Sequence, residues 1–287
     1  MKLVTYSDQG KIKLGAVKGD GVVDLTKHLP APPANMIGLI AAWSDIRAGA
    51  ERAVDQSAAD AALSAVRILA PIARPGKIMA IGLNYADHVK ETGQATPRNQ
   101  IWFTKAVTSI NGPFDPIELP RASQQTDYEA EMVVVIGRRC KHVARERAAE
   151  VIFGYTAGND VSVRDWQMRT TQWVIGKSFD THAPIGPWIV TPDEVGDPHT
   201  LGIRCLVNGE LRQNSNTKNL IFNVFDQIAE LSQAMTLEPG DVIFTGTPGG
   251  VALGMKPPQW LKEGDKVRVE IDRIGALEAV MRSERAG

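Results

Sequence analysis

The sequence predicts an α+β fold in which strands dominate. Short apolar, β-branched runs recur along most of the 287 residues, each bounded by Gly, Pro, Asn or Asp. Only one late segment carries a strong helical stripe. The strands do not alternate regularly with helices, as a doubly wound sheet would require.

The first elements are short strands. Residues 2–6 and 11–17 flank the turn Asp8-Gln9-Gly10, and Lys18-Gly19-Asp20-Gly21 turns the chain into Val22-Val23-Asp24-Leu25. Pro30, Pro32 and Pro33 interrupt the pattern. An Ala-rich region from about residue 36 to residue 66 then reads as helix by propensity. Pro71 and Arg74-Pro75-Gly76 place a boundary near residue 70, giving a small N-terminal domain (1–70) and a larger second one (71–287).

The larger part reads as strands at 77–81, 101–103, 129–136, 188–190, 202–207, 241–245 and 266–271. One helix is expected between them. Leu220, Val224, Ile228, Leu231 and Met235 recur at helical spacing, and Ile221 and Phe225 widen the stripe, which is core rather than a cofactor box.

Composition narrows the function classes. The hydrophobic fraction of 43% suits a buried core, and a formal net charge of −1 offers no basic surplus for nucleic acid or anionic lipid. Cys140 and Cys205 are too few for a disulfide framework, which fits a reducing compartment. The N-terminus lacks the apolar centre of an export signal, and no stretch is apolar enough to span a bilayer. A cytoplasmic protein with a small-molecule partner, not a membrane or nucleic acid, is the expectation.

The segment Asp127-Tyr128-Glu129-Ala130-Glu131 enters the apolar run 132–136. Side chains alternate along a strand, so Glu129 and Glu131 share one face, roughly 6–7 Å apart. Two such carboxylates near a buried run need a proton or a cation between them. The alternative is a solvated strand end. Asp160, after the small and apolar residues 153–158, is a candidate third ligand or simply a turn former. If the three meet, hard oxygen ligands favour Mg²⁺, Mn²⁺ or Ca²⁺ over zinc.

Asn84-Tyr85-Ala86-Asp87-His88 reads as a helix start with Asn84 as N-cap. His88 and Glu91 then face the same side, three residues apart, where Glu91 can orient an imidazole acting as general base. A surface His–Glu pair is the alternative. Residues 92–100 follow as a polar loop and candidate lid. Gly246-Thr247-Pro248-Gly249-Gly250 can present backbone N–H groups to an anion, but it is not a phosphate loop. Neither Gly-x-Ser-x-Gly nor His-Glu-x-x-His occurs, which removes the main supports for a serine hydrolase or a zincin.

Five motifs stand in order: residues 82–88 (GLNYADH), 127–131 (DYEAE), 159–160 (ND), 176–180 (GKSFD) and 244–250 (FTGTPGG). Together they resemble the fumarylacetoacetate hydrolase family, over the chain from about Lys77 to its end. The resemblance implies a mostly β roll, commonly a homodimer. It implies Glu129, Glu131 and Asp160 as ligands of Mg²⁺ or Mn²⁺, His88 and Glu91 as a catalytic dyad on a lid, and Lys177 as an active-site lysine. Arg164, Gln167, Thr247 and Tyr85 fall where that family contacts substrate. The expected activity is hydrolysis of a C–C bond in a 2,4-diketo acid or acylpyruvate. The alternative is a decarboxylase or keto–enol isomerase of a small keto acid using the same metal.

Overall fold

Strand Ala130–Ile136 explains the architecture because it is buried on both faces, which is why its sequence is continuously apolar. Met132, Val134 and Ile136 pack with Ile203, Cys205 and Val269 on one side. Val133 and Val135 pack with Leu3, Leu39, Ile189 and Phe244 on the other. The computed structural model describes residues 1–93 and 95–284. It matches the strand-rich α+β expectation.

The main sheet has twelve strands among the described residues. Ten form a path running Ala61–Ala62, Gly21–Asp24, Lys11–Lys18, Lys2–Asp8, Ala183–Val190, Ile152–Asn159, Ala130–Ile136, Val242–Phe244, Ile78–Gly82, Ile101–Lys105, while Arg67–Ile68 pairs with Lys2–Asp8 and Ile110–Asn111 with Ala183–Val190 off that path. Most neighbours are antiparallel, but Val242–Phe244 runs parallel to Ile78–Gly82. The N-terminal strands are built onto this same sheet, with Lys2 opposite Val190. A five-stranded sheet (Glu210–Asn216, Gly202–Val207, Lys266–Ile271, Gly275–Ser283, Ile117–Leu119) covers the even-numbered face of Ala130–Ile136.

Three local expectations are corrected. The Ala-rich region is helical over Met36–Ala41 and Trp43–Gln56 and then stops. Beyond it, Ala61–Ala62 pairs with Gly21–Asp24, and the Asp60 carboxylate accepts the Asp24 N–H at 2.8 Å. Edge pairing outweighs alanine propensity there. The late helix is Val224–Ala234, starting four residues after Leu220 because Asn223 and Asp226 form a capping box. Leu220 instead bridges to Tyr85. Asn84 does not cap its helix, which runs Ala86–Thr92 from Tyr85. Its buried amide accepts from Phe222 N–H at 2.8 Å and donates to the carbonyls of Phe222 (2.9 Å) and Thr245 (2.8 Å). Among the described residues, no helix is long and apolar enough to cross a membrane.

Candidate active site

Strand pairing brings the acids together. Ala130 lies opposite Asn159 in an antiparallel pair, so Glu129 and Asp160 become neighbours at its end. The Asp160 N–H donates to the Glu129 carbonyl at 2.9 Å, and the Glu129 N–H donates to Asn159 Oδ1 at 2.9 Å. Alternation aims Glu131 the same way as Glu129. One carboxylate oxygen from each of Glu129, Glu131 and Asp160 lies within 4.8 Å of the others, and all three residues are buried.

Three buried cations surround them. Lys177 Nζ donates to Glu129 Oε2 at 2.6 Å and to Asp160 Oδ2 at 2.7 Å. Lys105 Nζ donates to Asp160 Oδ1 at 2.6 Å. Arg164 reaches Glu129 Oε1 at 2.7 Å and grips Asp127 Oδ2 through Nε and Nη2, each at 2.8 Å. Asp127 also accepts the N–H groups of Ala252 (2.8 Å) and Leu253 (3.0 Å). With all four ionised, the carboxylates of Asp127, Glu129, Glu131 and Asp160 face three fixed cations, one positive charge short of balance. A divalent cation would leave the site with one positive charge in excess, suited to an anionic substrate.

The acids divide in character. Burial opposes ionisation of Glu129, but the ammonium of Lys177 and the guanidinium of Arg164 overcome it and hold its carboxyl below the usual range. Burial, then the charges of Asp160 and Glu129, push Glu131 well above that range. The Lys177 charge opposes this most, followed by the Gly246 N–H, which donates to Oε2 at 2.7 Å. Lys177 is held above its ordinary value despite burial, because Asp160 and Glu129 favour its charged form. Burial lowers Lys105, with Asp160 opposing.

The helix Ala86–Thr92 presents the dyad. His88 Nδ1 lies 3.6 Å from Glu91 Oε2, one turn away, and His88 is buried while Glu91 is part-exposed. The Gly250 N–H donates to Glu91 Oε2 at 2.9 Å. A Cβ on Gly250 would meet the Arg212 carbonyl at 2.0 Å, and its φ of 98° favours glycine. The glycine-rich turn therefore does present N–H groups to anions, but to Glu131 at one end and Glu91 at the other. Within the lid stretch 92–100, residue 94 lies outside the described residues.

The remaining expected residues lie around this cluster. The Arg164 guanidinium, besides its carboxylate contacts, donates to Gln167 Oε1 at 2.9 Å. Gly176 packs so tightly that an added Cβ would sit 2.2 Å from the Gln167 nitrogen. Thr247 Oγ1 accepts from Gln213 Nε2 at 2.8 Å. The Tyr85 hydroxyl is fully buried without a hydrogen-bond partner among the described residues. Burial and the nearby Glu131 and Asp87 charges raise its pKa.

Sequence reasoning missed Lys105, Asp127 and Gln213, which also accepts the Ala130 N–H. Asp127 had a signal: it continues the two-residue period of Glu129 and Glu131. Lys105 had a weaker one, a lysine closing the apolar run Ile101-Trp102-Phe103.

The donors fit a hard divalent cation. They are all carboxylate oxygens, with neither sulfur nor imidazole among them, and burial alone would strongly disfavour three ionised acids together. A mainly apolar cavity of about 600 Å³ lies elsewhere, lined by Leu14, Met36, Ile37 and Ile72, and contains none of these acids. Chemistry belongs with the carboxylates, where charge and polar groups converge.

Comparison with known proteins agrees. The family profile described as fumarylacetoacetate (FAA) hydrolase C-terminal matches residues 77–282. A mitochondrial oxaloacetate tautomerase of Xenopus laevis is 44% identical over 283 residues, covering 96% of this chain and 89% of that protein. The maleylpyruvate hydrolase of Sphingobium sp. SYK-6, solved with manganese(II) and pyruvate, superposes with a TM-score of 0.85 at 35% identity, covering 99% of this chain and 100% of that one. A 5-carboxymethyl-2-hydroxymuconate delta-isomerase from Mycobacterium smegmatis superposes with a TM-score of 0.80 at 35% identity, with full coverage of both chains (100%).

Proposed function

This chain belongs to the fumarylacetoacetate hydrolase family, and from that premise we propose that it is a metal-dependent enzyme interconverting the keto and enol forms of a short 2-keto dicarboxylic acid of the oxaloacetate type. The observation that carries the reading is the convergence of Glu129, Glu131 and Asp160 with Lys177 bridging two of them. The 44% identity to an oxaloacetate tautomerase over nearly the whole chain favours tautomerisation over the hydrolysis expected from the sequence.

Glu129, Glu131 and Asp160 would hold Mg²⁺ or Mn²⁺, which supplies Lewis-acid stabilisation of enolate charge. Lys177 adds a fixed positive charge beside the same oxygens. Glu91, anchored by Gly250, lies 3.6 Å from His88 Nδ1, where it can orient the imidazole that moves the proton. His88 takes a proton from the carbon next to the keto group, and its imidazolium returns a proton to the keto oxygen, directly or through solvent, as the enol forms. Reversal returns the keto acid with no bond between carbons broken. The unpartnered Tyr85 hydroxyl, close enough to Glu131 to feel its charge, is available to a substrate oxygen.

Hydrolysis of an acylpyruvate is the second reading, favoured by the maleylpyruvate hydrolase likeness. There His88 would deprotonate a water for attack on the distal carbonyl. The test is to follow enol absorbance of oxaloacetate with Mg²⁺ or Mn²⁺, and to assay pyruvate and CO₂ release from oxaloacetate and a panel of acylpyruvates. Faster enol–keto relaxation without pyruvate release supports the tautomerase. Release of pyruvate plus an acid from an acylpyruvate, with no effect on enol relaxation, replaces it with the hydrolase, and CO₂ release replaces it with a decarboxylase.

A further inference from the structure

We propose that Lys105 is a positioning residue that confines Asp160 to metal ligation through one oxygen, keeping coordination positions free for substrate. This rests on the reading that Glu129, Glu131 and Asp160 hold a divalent cation.

Lys105 closes strand Ile101–Lys105, and its ammonium is wholly buried. A buried ammonium is strongly unfavourable unless partnered. Its partners are Asp160 Oδ1 at 2.6 Å and the Val161 carbonyl at 3.2 Å. The carbonyl is part of a braced backbone, because the Val161 N–H donates to the His182 carbonyl at 3.1 Å. The ammonium is therefore fixed from two sides.

The two oxygens of Asp160 are thereby divided. Oδ1 belongs to Lys105, while Oδ2 faces Lys177 at 2.7 Å, on the side of Glu129. Turning the carboxylate to chelate through both oxygens would break a short charge-assisted hydrogen bond and strand a buried cation. Oδ2 is the oxygen on the Glu129 side, the one a metal would take by sharing or replacing its contact with Lys177, which keeps Glu129 as its other partner.

That division matters for coordination number. An octahedral ion of the Mg²⁺ type has about six positions. Three single-oxygen carboxylates leave roughly three, enough for the keto and carboxylate oxygens of a 2-keto acid and one water. A chelating Asp160 would take one of these. Ca²⁺ accepts more oxygens and tolerates bidentate carboxylates, so Lys105 also biases the site against Ca²⁺.

The test titrates the wild type, Lys105→Met and Lys105→Gln with Mg²⁺, Mn²⁺ and Ca²⁺ salts alone. Waters on bound Mn²⁺ are counted by pulsed electron paramagnetic resonance in isotopically labelled water. The wild type should carry about three waters and the Met variant one fewer. The ratio of Ca²⁺ to Mg²⁺ affinity should rise roughly tenfold in the Met variant, the scale of losing a ligand's hydrogen-bond partner. The Gln variant, which can still donate to Oδ1, should lie between. An unchanged water count with equal affinity losses for all three metals would make Lys105 merely structural and overturn the proposal. If neither variant folds, the wild type decides: about three waters support it and fewer overturn it. A wild type that binds none of the metals overturns the underlying metal reading as well, a result distinct from binding with the wrong water count.

Discussion

The floor of the site and the helix above it are built differently. On the floor, Glu129, Asp160, Lys177, Lys105 and Arg164 are buried and held by two or more charged contacts or a backbone partner each. On the helix, Glu91 is 30% exposed in its side chain, contacts His88 at 3.6 Å and is tied by the Gly250 N–H. Networks of buried, fully paired charges resist displacement, whereas a single hydrogen bond at a part-exposed carboxylate is modest in net strength. The floor suits a fixed cation site. The helix suits groups that must approach and leave a substrate.

The largest test of that contrast is Asp160→Asn. It removes a ligand oxygen and leaves Lys105 and Lys177 with one fewer anion. Divalent-metal affinity should fall by more than roughly 100-fold, beyond the range of outer-shell changes. Stability should drop by about 3–5 kcal/mol, as for a broken buried pair. Calorimetric titration and denaturant unfolding check both, and unchanged metal affinity would remove Asp160 from the ligand set.

On the helix, His88→Ala should lower turnover by about 10²–10⁴-fold, the usual worth of a general base. Metal affinity and melting temperature should hardly move, since His88 lies outside the carboxylate cluster. A parallel loss of metal binding would erase the distinction between floor and lid. Glu91→Gln should have a smaller effect on turnover than His88→Ala, because Glu91 acts through the imidazole.

The last effect is confined to acid pH and vanishes at neutrality. Burial pushes the His182 imidazole down to about 3, against an opposing hydrogen bond at the Glu118 carbonyl. Below pH 6.5, the ordinary value, an unfolded chain binds a proton here that the native chain refuses. Stability contributed by this residue should therefore be full above pH 6.5, fall as pH drops toward about 3, and level off below. Melting temperatures measured across that window should show a shallower acid limb in His182→Gln than in the wild type. Equal limbs would mean that His182 is not the group responsible.

Much of the site was legible in residue order because it depends on local periodicity. Alternation alone puts Glu129 and Glu131 on one face, and the spacing of His88 and Glu91 pairs them along a helix. Most strand runs were legible for the same reason, with ends that moved by one or two residues, but Ala183–Val190 starts five residues before the expected 188–190, and Glu210–Asn216 and Gly275–Ser283 were not expected. The first failures came where a distant partner overrode a local preference. Asn84 has the chemistry of a cap, yet its amide is consumed by Phe222 and Thr245, more than a hundred residues away. The Ala-rich stretch lost its last turns to an edge pairing with Gly21–Asp24.

The sequence by itself determined the inventory: two glutamates sharing a strand face, a His–Glu pair one turn apart, a glycine-rich turn and the ordered motifs of a known family. Tertiary structure alone decided that Asp160 joins the pair, that Lys105 divides its oxygens, and that Arg164 spends its guanidinium on Asp127 and Glu129. The reason is range. Periodicity governs which way neighbouring side chains point, but which buried charges meet depends on strand register between segments remote in the chain, and burial then makes each pairing obligatory.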